Sequence, residues 1–368
     1  MRYGSRMTMT APAVTEAIAS ALAVIGEEAR ELDLAPRFPV EAFDRLREAG
    51  ALALTVPDAS GDRPVSFLEE WRAVQAVAAA DGSVGRIYDG HLNAVERLAV
   101  AAPEPLRARE LDEISAGRRL LGVWGADPRG NEGEPARLAI GADGEPTIEG
   151  VKTFCSGAGG LDHALVLVRG PEPGPPLVAY VDLSEGVEID HAWYRASGMR
   201  ASESHRVTFH GARVRAILGG PGELTREPWF SRDAIRTTAC WAGMAHRASE
   251  AALGLLAARR PPDDLSALAA GRILSARGTI EAWLDRAGAA AQADPDAPLA
   301  ALSVELREAV AGACRLILDE AARACGSHPF AVAGDLDRAR RDLELFLLQH
   351  RLDPLVAARG HAALEARA

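Results

Sequence analysis

Thr147-Ile-Glu-Gly-Val-Lys-Thr-Phe-Cys-Ser-Gly-Ala-Gly-Gly-Leu-Asp-His-Ala-Leu-Val-Leu-Val-Arg169 contains two runs of strand-forming residues, Thr147–Phe154 and Ala164–Val168, separated by a turn of small residues. Gly157, Gly159 and Gly160 allow positive φ in that turn and let backbone approach a flat partner closely. The chain on either side is Ala/Leu-rich with helical spacing. A compact β unit between two helical halves therefore organises the fold.

Working outward, further short strand-like runs stand at Leu120–Val123, Arg137–Ile140, Leu177–Val181, Val187–Ile189 and Val207–Phe209, divided by Gly/Pro/Asp turns. About seven short strands of this kind predict a small antiparallel barrel or sandwich. Upstream, Val14–Leu32 places Ile18, Ala21, Leu22, Ile25 and Ala29 on one helical face. A second helix opens at Phe38-Pro39 and stops at Gly50, a third covers Ser66–Ala80 and a fourth Val84–Ala101. Downstream, Ser231–Arg260, Asp263–Gln292, Leu299–Cys325 and Leu336 to about Ala366 predict a four-helix bundle. The expected organisation is α+β: a helical domain at 1–119, a β-domain at 120–215 and the bundle at 229–368.

With 48% apolar and 25% charged residues the composition is that of an ordinary globular protein. A net charge of −11, with no Lys/Arg cluster interleaved with aromatics, argues against nucleic-acid binding. Cys155, Cys240, Cys314 and Cys325 form no C-x-x-C pair, so they predict reduced thiols in a cytoplasmic protein and no metal ligation. Met1–Thr10 leads into no apolar run, and no stretch is long enough to span a membrane, so neither a signal peptide nor a membrane partner is expected.

Three segments in order carry a resemblance. Gly150-Val-Lys-Thr-Phe-Cys-Ser-Gly-Ala158 with Asp162–Val168, Ser197-Gly-Met-Arg-Ala-Ser-Glu-Ser-His-Arg-Val-Thr-Phe209, and Leu336-Asp-Arg-Ala-Arg-Arg-Asp342 together resemble the acyl-CoA dehydrogenase superfamily. Phe38-Pro39 through Gly50 to Val56-Pro57 is similar to that family's N-terminal segment. The resemblance implies a helical domain, a β-domain and a four-helix bundle, assembled as a homodimer or homotetramer.

It also implies a flavin against the β-domain. Phe154 stands at the family's tryptophan position and Ser156 at its hydroxyl position; an aromatic face packs on the flavin ring and a hydroxyl bonds its polar edge. The alternative reading makes Phe154 core and Ser156 a turn residue. Val123-Trp124-Gly125-Ala126-Asp127-Pro128 keeps only an acid–proline echo of a second flavin-contacting strand, with Trp124 and Gly125 as candidates. Arg260-Pro261-Pro262-Asp263 and Arg323-Ala-Cys-Gly326-Ser327 stand where the family binds the adenosine half of FAD, and they match it poorly. FAD is the family's usual cofactor and FMN the alternative.

The dehydrogenases use a glutamate to take the α-proton of an acyl thioester, because burial raises a carboxylate's basicity. One family position for it falls here on His350, the other on Asp233, which also suits the first turn of a helix. The dibenzothiophene-type flavin monooxygenases lack that glutamate and use histidines. Asp81-Gly82-Ser83…Gly90-His91 resembles one of their segments, and His350 stands near another. Three functions follow. The leading expectation is acyl-CoA desaturation with hydride transfer to flavin and an electron-transfer flavoprotein as partner. The second is a two-component monooxygenase fed by a flavin reductase. The third is a catalytically degenerate family member serving as a binding or partner subunit.

Overall fold

The computed structural model describes residues 11–259, 261, 263–332, 334–349 and 351–367, with side chains described from residue 18 onward. Among the described residues it begins with α1 (Ala11–Leu34), α2 (Val40–Glu48), α3 (Phe67–Ala80), α4 (Gly82–Ala101) and α5 (Leu106–Ser115). Then come β1 (Leu121–Trp124), β2 (Arg137–Ile140), β3 (Pro146–Cys155), β4 (His163–Val168), β5 (Leu177–Asp182), β6 (Val187–Asp190) and β7 (His205–Leu218). The chain closes with α6 (Trp229–Ala257), α7 (Asp264–Ala293), α8 (Ala300–Cys325), α9 (His328–Ala331), α10 (Asp335–Phe346) and α11 (Asp353–Glu365). No helix among these residues is long and apolar enough to cross a membrane.

Local chemistry sets several boundaries. Ser66 caps α3 through a reciprocal box with Glu69, which satisfies two otherwise orphaned N–H groups. Asp81 caps α4 by accepting the Val84 N–H at 2.9 Å. Pro354 in the first turn of α11 separates it from α10, so the last expected helix is two. The polar stretch after Pro105 forms α5 and buries Glu110 and Ile114.

The barrel expectation is corrected. The seven strands form an open, mixed sheet in the order β1-β4-β5-β7-β3-β2, with β6 also paired to β7. Its β1–β4 pairing is parallel, Leu121 opposite His163. Strand β7 runs far beyond the expected Val207–Phe209. Its first half lies between β3 and β6, and its second half pairs with β5. Gly211, at φ 75°, lets the strand change direction between the halves. The same His210-Gly211 break hid its length, because it interrupts the alternation that marks a strand.

One apolar core runs from α1, α2 and α3 through Trp71, Val77 and Trp241 into α6, α7, α8 and α10, so the N-terminal and C-terminal helices share an interior. A second fills the sheet around Trp124, Val166 and Phe209. A third joins Val95, Leu98 and Ile114 to Leu165 and Tyr180. Helix α4 is buried on nearly every side because it lies between bundle and sheet.

Candidate active site at the end of the third strand

β3 ends in a conformation that its sequence does not favour. Phe154 has φ 52°, left-handed backbone that a bulky side chain adopts only under constraint. The Ser156 N–H donates to the Phe154 carbonyl at 2.9 Å, and the Gly157 N–H to the Ser202 carbonyl at 2.8 Å, which hold the turn. The consequence is an aromatic ring left 57% exposed beside an otherwise buried strand. Trp193 meets it edge-on with centroids 5.0 Å apart, and the Trp193 indole N–H donates to Glu132 at 3.0 Å. A large apolar ring held outward by strained backbone marks a binding surface more than a core position.

A row of hydroxyls lies next to it. Ser156 Oγ is 2.9 Å from Ser204 Oγ, which is 2.8 Å from Ser202 Oγ. Tyr194 donates its phenol to the Met199 carbonyl at 3.3 Å, and burial pushes the phenol up to about 12, so it stays protonated at neutral pH. The row is neutral and is fixed from behind. Trp124 is fully buried, and its indole N–H donates to the Ser156 carbonyl at 3.0 Å; it positions the serine and offers no face to a ligand. Gly125 is exposed, and its carbonyl accepts the buried Lys152 ammonium at 3.2 Å; Lys152 also reaches Asp127 at 2.7 Å.

The loop carrying these serines is anchored on α10. Gly198 lies so close that a Cβ there would stand 2.1 Å from the Arg341 carbonyl oxygen, so only glycine fits. Asp342 accepts the Met199 N–H, and Arg341 grips Asp33 at 2.6 Å. Burial first, and the neighbouring Asp81 carboxylate second, push the Asp342 carboxyl up to about 7.

The expected site residues separate. Phe154 and Ser156 lie together, with Trp124 and Gly125 supporting them. Gly326 and Ser327 are exposed at the C-terminal end of α8, and Ser327 makes no side-chain capping bond. His350, Arg260 and Pro262 lie outside the described residues. His91 is wholly buried: its Nε2–H donates to the Leu52 carbonyl at 2.8 Å and its Nδ1 accepts the Leu121 N–H at 3.1 Å. Both ring nitrogens are used, and burial lowers the imidazole to about 4, so it clamps α4 to β1 as a neutral group.

Asp233 is held in an ion cluster. Its Oδ1 is 3.0 Å from Arg97 and 2.8 Å from Arg236, and Oδ2 bonds Arg97 again. Arg236 also holds Glu70, and Glu96 at 2.8 Å, while Arg232 bonds Glu96 at 3.1 Å. Burial alone would raise the Glu96 carboxyl, but Arg236, Arg63 and Arg232 outweigh it and bring it down to about 2. Both carboxylate oxygens of Asp233 are thus committed to guanidinium groups.

A family model, "Acyl-CoA dehydrogenase, N-terminal domain", matches residues 12–118. The FMN-bound dibenzothiophene monooxygenase TdsC of Paenibacillus sp. A11-2 superposes with a TM-score of 0.83 at 22% identity, covering 96% of this chain and 97% of that one. The chain has the acyl-CoA dehydrogenase superfamily fold. Among curated relatives, dibenzothiophene monooxygenase of Mycolicibacterium goodii is 29% identical over 202 residues, 53% of this chain and 48% of its own length. A probable FMNH2-dependent monooxygenase, SfnC of Pseudomonas putida, is 27% identical over 223 residues, 59% of this chain and 54% of its own. The chain thus spans about half the length of the curated relatives it matches.

These relatives overturn the expectation of acyl-CoA desaturation. They are named for monooxygenation, and the acid that desaturation relied on, Asp233, is bound by two arginines. Sequence reading missed Tyr194, Ser202, Ser204 and Lys152. The two serines and the lysine stood inside segments quoted for their resemblance, where they were given no role, because the serines' position beside Ser156 shows only when the turn before β7 is packed against the end of β3. Tyr194 lies in the loop after β6, where no periodicity points to it.

Proposed function

We propose that this protein is a flavin-dependent monooxygenase that takes reduced flavin, FMN before FAD, from a separate reductase and oxygenates a small molecule. Its place of work is the cytoplasm, where buried, unpaired Cys155, Cys240, Cys314 and Cys325 stay reduced. The observation that carries this reading is the strained, outward Phe154 beside the Ser156–Ser204–Ser202 hydroxyl row, in a chain whose curated relatives include several named as monooxygenases.

The residues present fit a flavin. The exposed Phe154 face matches a flat ring system, the neutral hydroxyls match its carbonyl and nitrogen edge, and Trp193 shields one side. Reduced flavin, when bound, supplies the electrons that activate molecular oxygen. The chain's own residues bind and orient: Phe154 gives the stacking face, Ser156 and Ser204 direct hydrogen bonds, and Trp124 fixes Ser156 from the interior. The row itself is built of neutral hydroxyls that bond to one another.

The test supplies the protein with FMN, NADH and a flavin reductase, with dibenzothiophene and indole as probes. The proposal predicts a product carrying one added oxygen atom, formed only with protein, reductase and oxygen together. An acyl-CoA that bleaches bound flavin anaerobically, with no oxygenated product from any probe, would refute it.

A further inference from the structure

We propose that His191, Glu203 and His205 form a divalent transition-metal site of the zinc class, which nothing above assigns to this chain. The inference stands independently of the flavin reading. It starts from register. Strand β6 pairs antiparallel with β7, and its last pair sets Asp190 opposite Arg206. One further step sets His191 opposite His205, and their rings lie 4.8 Å apart. Glu203 lies two residues before His205. Its φ of 45° is left-handed backbone, which turns the carboxylate toward the two imidazoles.

The distances suit one ion. His205 Nε2 is 3.0 Å and His191 Nδ1 3.8 Å from Glu203 Oε2, and one ligand atom from each residue lies within 4.8 Å of the others. Bonds of about 2.0–2.2 Å in tetrahedral geometry set ligand atoms roughly 3.3–3.5 Å apart, which lies between the two separations from Glu203, so closing on an ion draws the two imidazoles together. A set of two imidazoles and one carboxylate takes zinc with a fourth position open to water. Among the described residues, the second ring nitrogen of the buried His205, Nδ1, has no hydrogen-bond partner. His191 is 64% exposed, which gives the ion an entry path and leaves that ring free to turn by about an ångström onto it.

The seat lies against the strained turn. His205 is paired with Cys155 on β3, and a Cβ on Gly159 would stand 3.6 Å from His191 Cε1. A bound ion would join the end of β6 to the start of β7 beside Phe154 and Ser156. The lone-cysteine reading of the sequence gave no hint of it, because the two histidines are far apart in sequence and meet only through the β6–β7 pairing.

The experiment titrates chelator-stripped, full-length protein with zinc chloride in competition with a chromophoric chelator. One zinc per chain is expected, with affinity falling at least about tenfold in His191→Ala and in Glu203→Gln. His210→Ala is the internal control: His210 and Glu188 form an exposed pair 3.1 Å apart on the same two strands, and its loss leaves zinc affinity unchanged. Cobalt(II) gives visible absorption with the wild type and none with His191→Ala. Melting temperatures without metal show that both variants are folded, and only the wild type and His210→Ala are raised by zinc. Wild-type affinity equal to that of His191→Ala, or an equal loss in His210→Ala, overturns the site.

Discussion

The Asp233 cluster and the Ser156 row are both polar and both largely shielded from water, but they are built of different groups. Around Asp233, three carboxylates meet four arginines from α4, α6 and the loop before α3, and each acid has a counter-charge. Around Ser156, neutral hydroxyls bond to one another beside an exposed ring on strained backbone. Buried charge that is fully paired fixes how helices pack, and removing one partner leaves the others unsatisfied. Neutral donors with spare capacity next to an uncovered aromatic face are available to a ligand. The difference teaches that an acid at a family's catalytic position can be committed to structural ion pairs, while neutral hydroxyls beside an exposed ring stay open to a ligand.

Arg236→Met is the harshest test of that contrast. It strips charge from Glu70, Glu96 and Asp233 together and is expected to cost about 3–5 kcal/mol in urea denaturation. A loss under about 1 kcal/mol would mean that the cluster is not structural.

Next in size is the pH dependence contributed by His91. Its imidazole has a pKa of about 4 when folded, against an ordinary 6.5, so between those values the unfolded chain binds a proton that the folded chain does not. The stability it contributes is complete above about pH 6.5 and is lost as pH falls toward 4, on the order of 3 kcal/mol in total. Asp342, raised to about 7, has the opposite slope, with stability falling as pH rises from 3.8 to about 7. Comparing the wild type with His91→Gln at pH 7 and pH 5 cancels that contribution. Equal pH slopes in both proteins would show that His91 titrates normally.

Phe154→Gly should separate binding from folding. Glycine adopts the φ of 52° without strain, so the melting temperature is expected to hold or rise, while flavin affinity falls roughly tenfold, about 1.4 kcal/mol. Ser156→Ala is the mildest, a loss of about 1 kcal/mol in flavin affinity with little change in stability. A large fall in melting temperature for either variant would mark these residues as core.

The fold was legible where periodicity and punctuation agree. The helix starting at Ser66, the spacing of Ile18, Ala21 and Ile25, and the apolar run Ala164–Val168 each point to one local structure, and tertiary packing did not override them. The open, mixed sheet was not legible, because the direction of β1 relative to β4 and the bend at Gly211 depend on non-local pairing. Resemblance named Phe154, Ser156, Asp233 and His91 alike, but the partners that commit Asp233 and His91, namely Arg97, Arg236, Leu52 and Leu121, are distant in sequence. A titratable group cannot be read as free or committed until its partners are placed.

The central claim is that the surface formed by Phe154, Ser156 and Ser204 holds flavin. Its most direct test is anaerobic titration of the purified protein with reduced FMN by calorimetry, run on the wild type and Phe154→Gly. The account predicts saturable binding of one FMN per chain, weakened roughly tenfold by the substitution while the fold persists. Absence of saturable binding, or identical affinity in the two proteins, would contradict it.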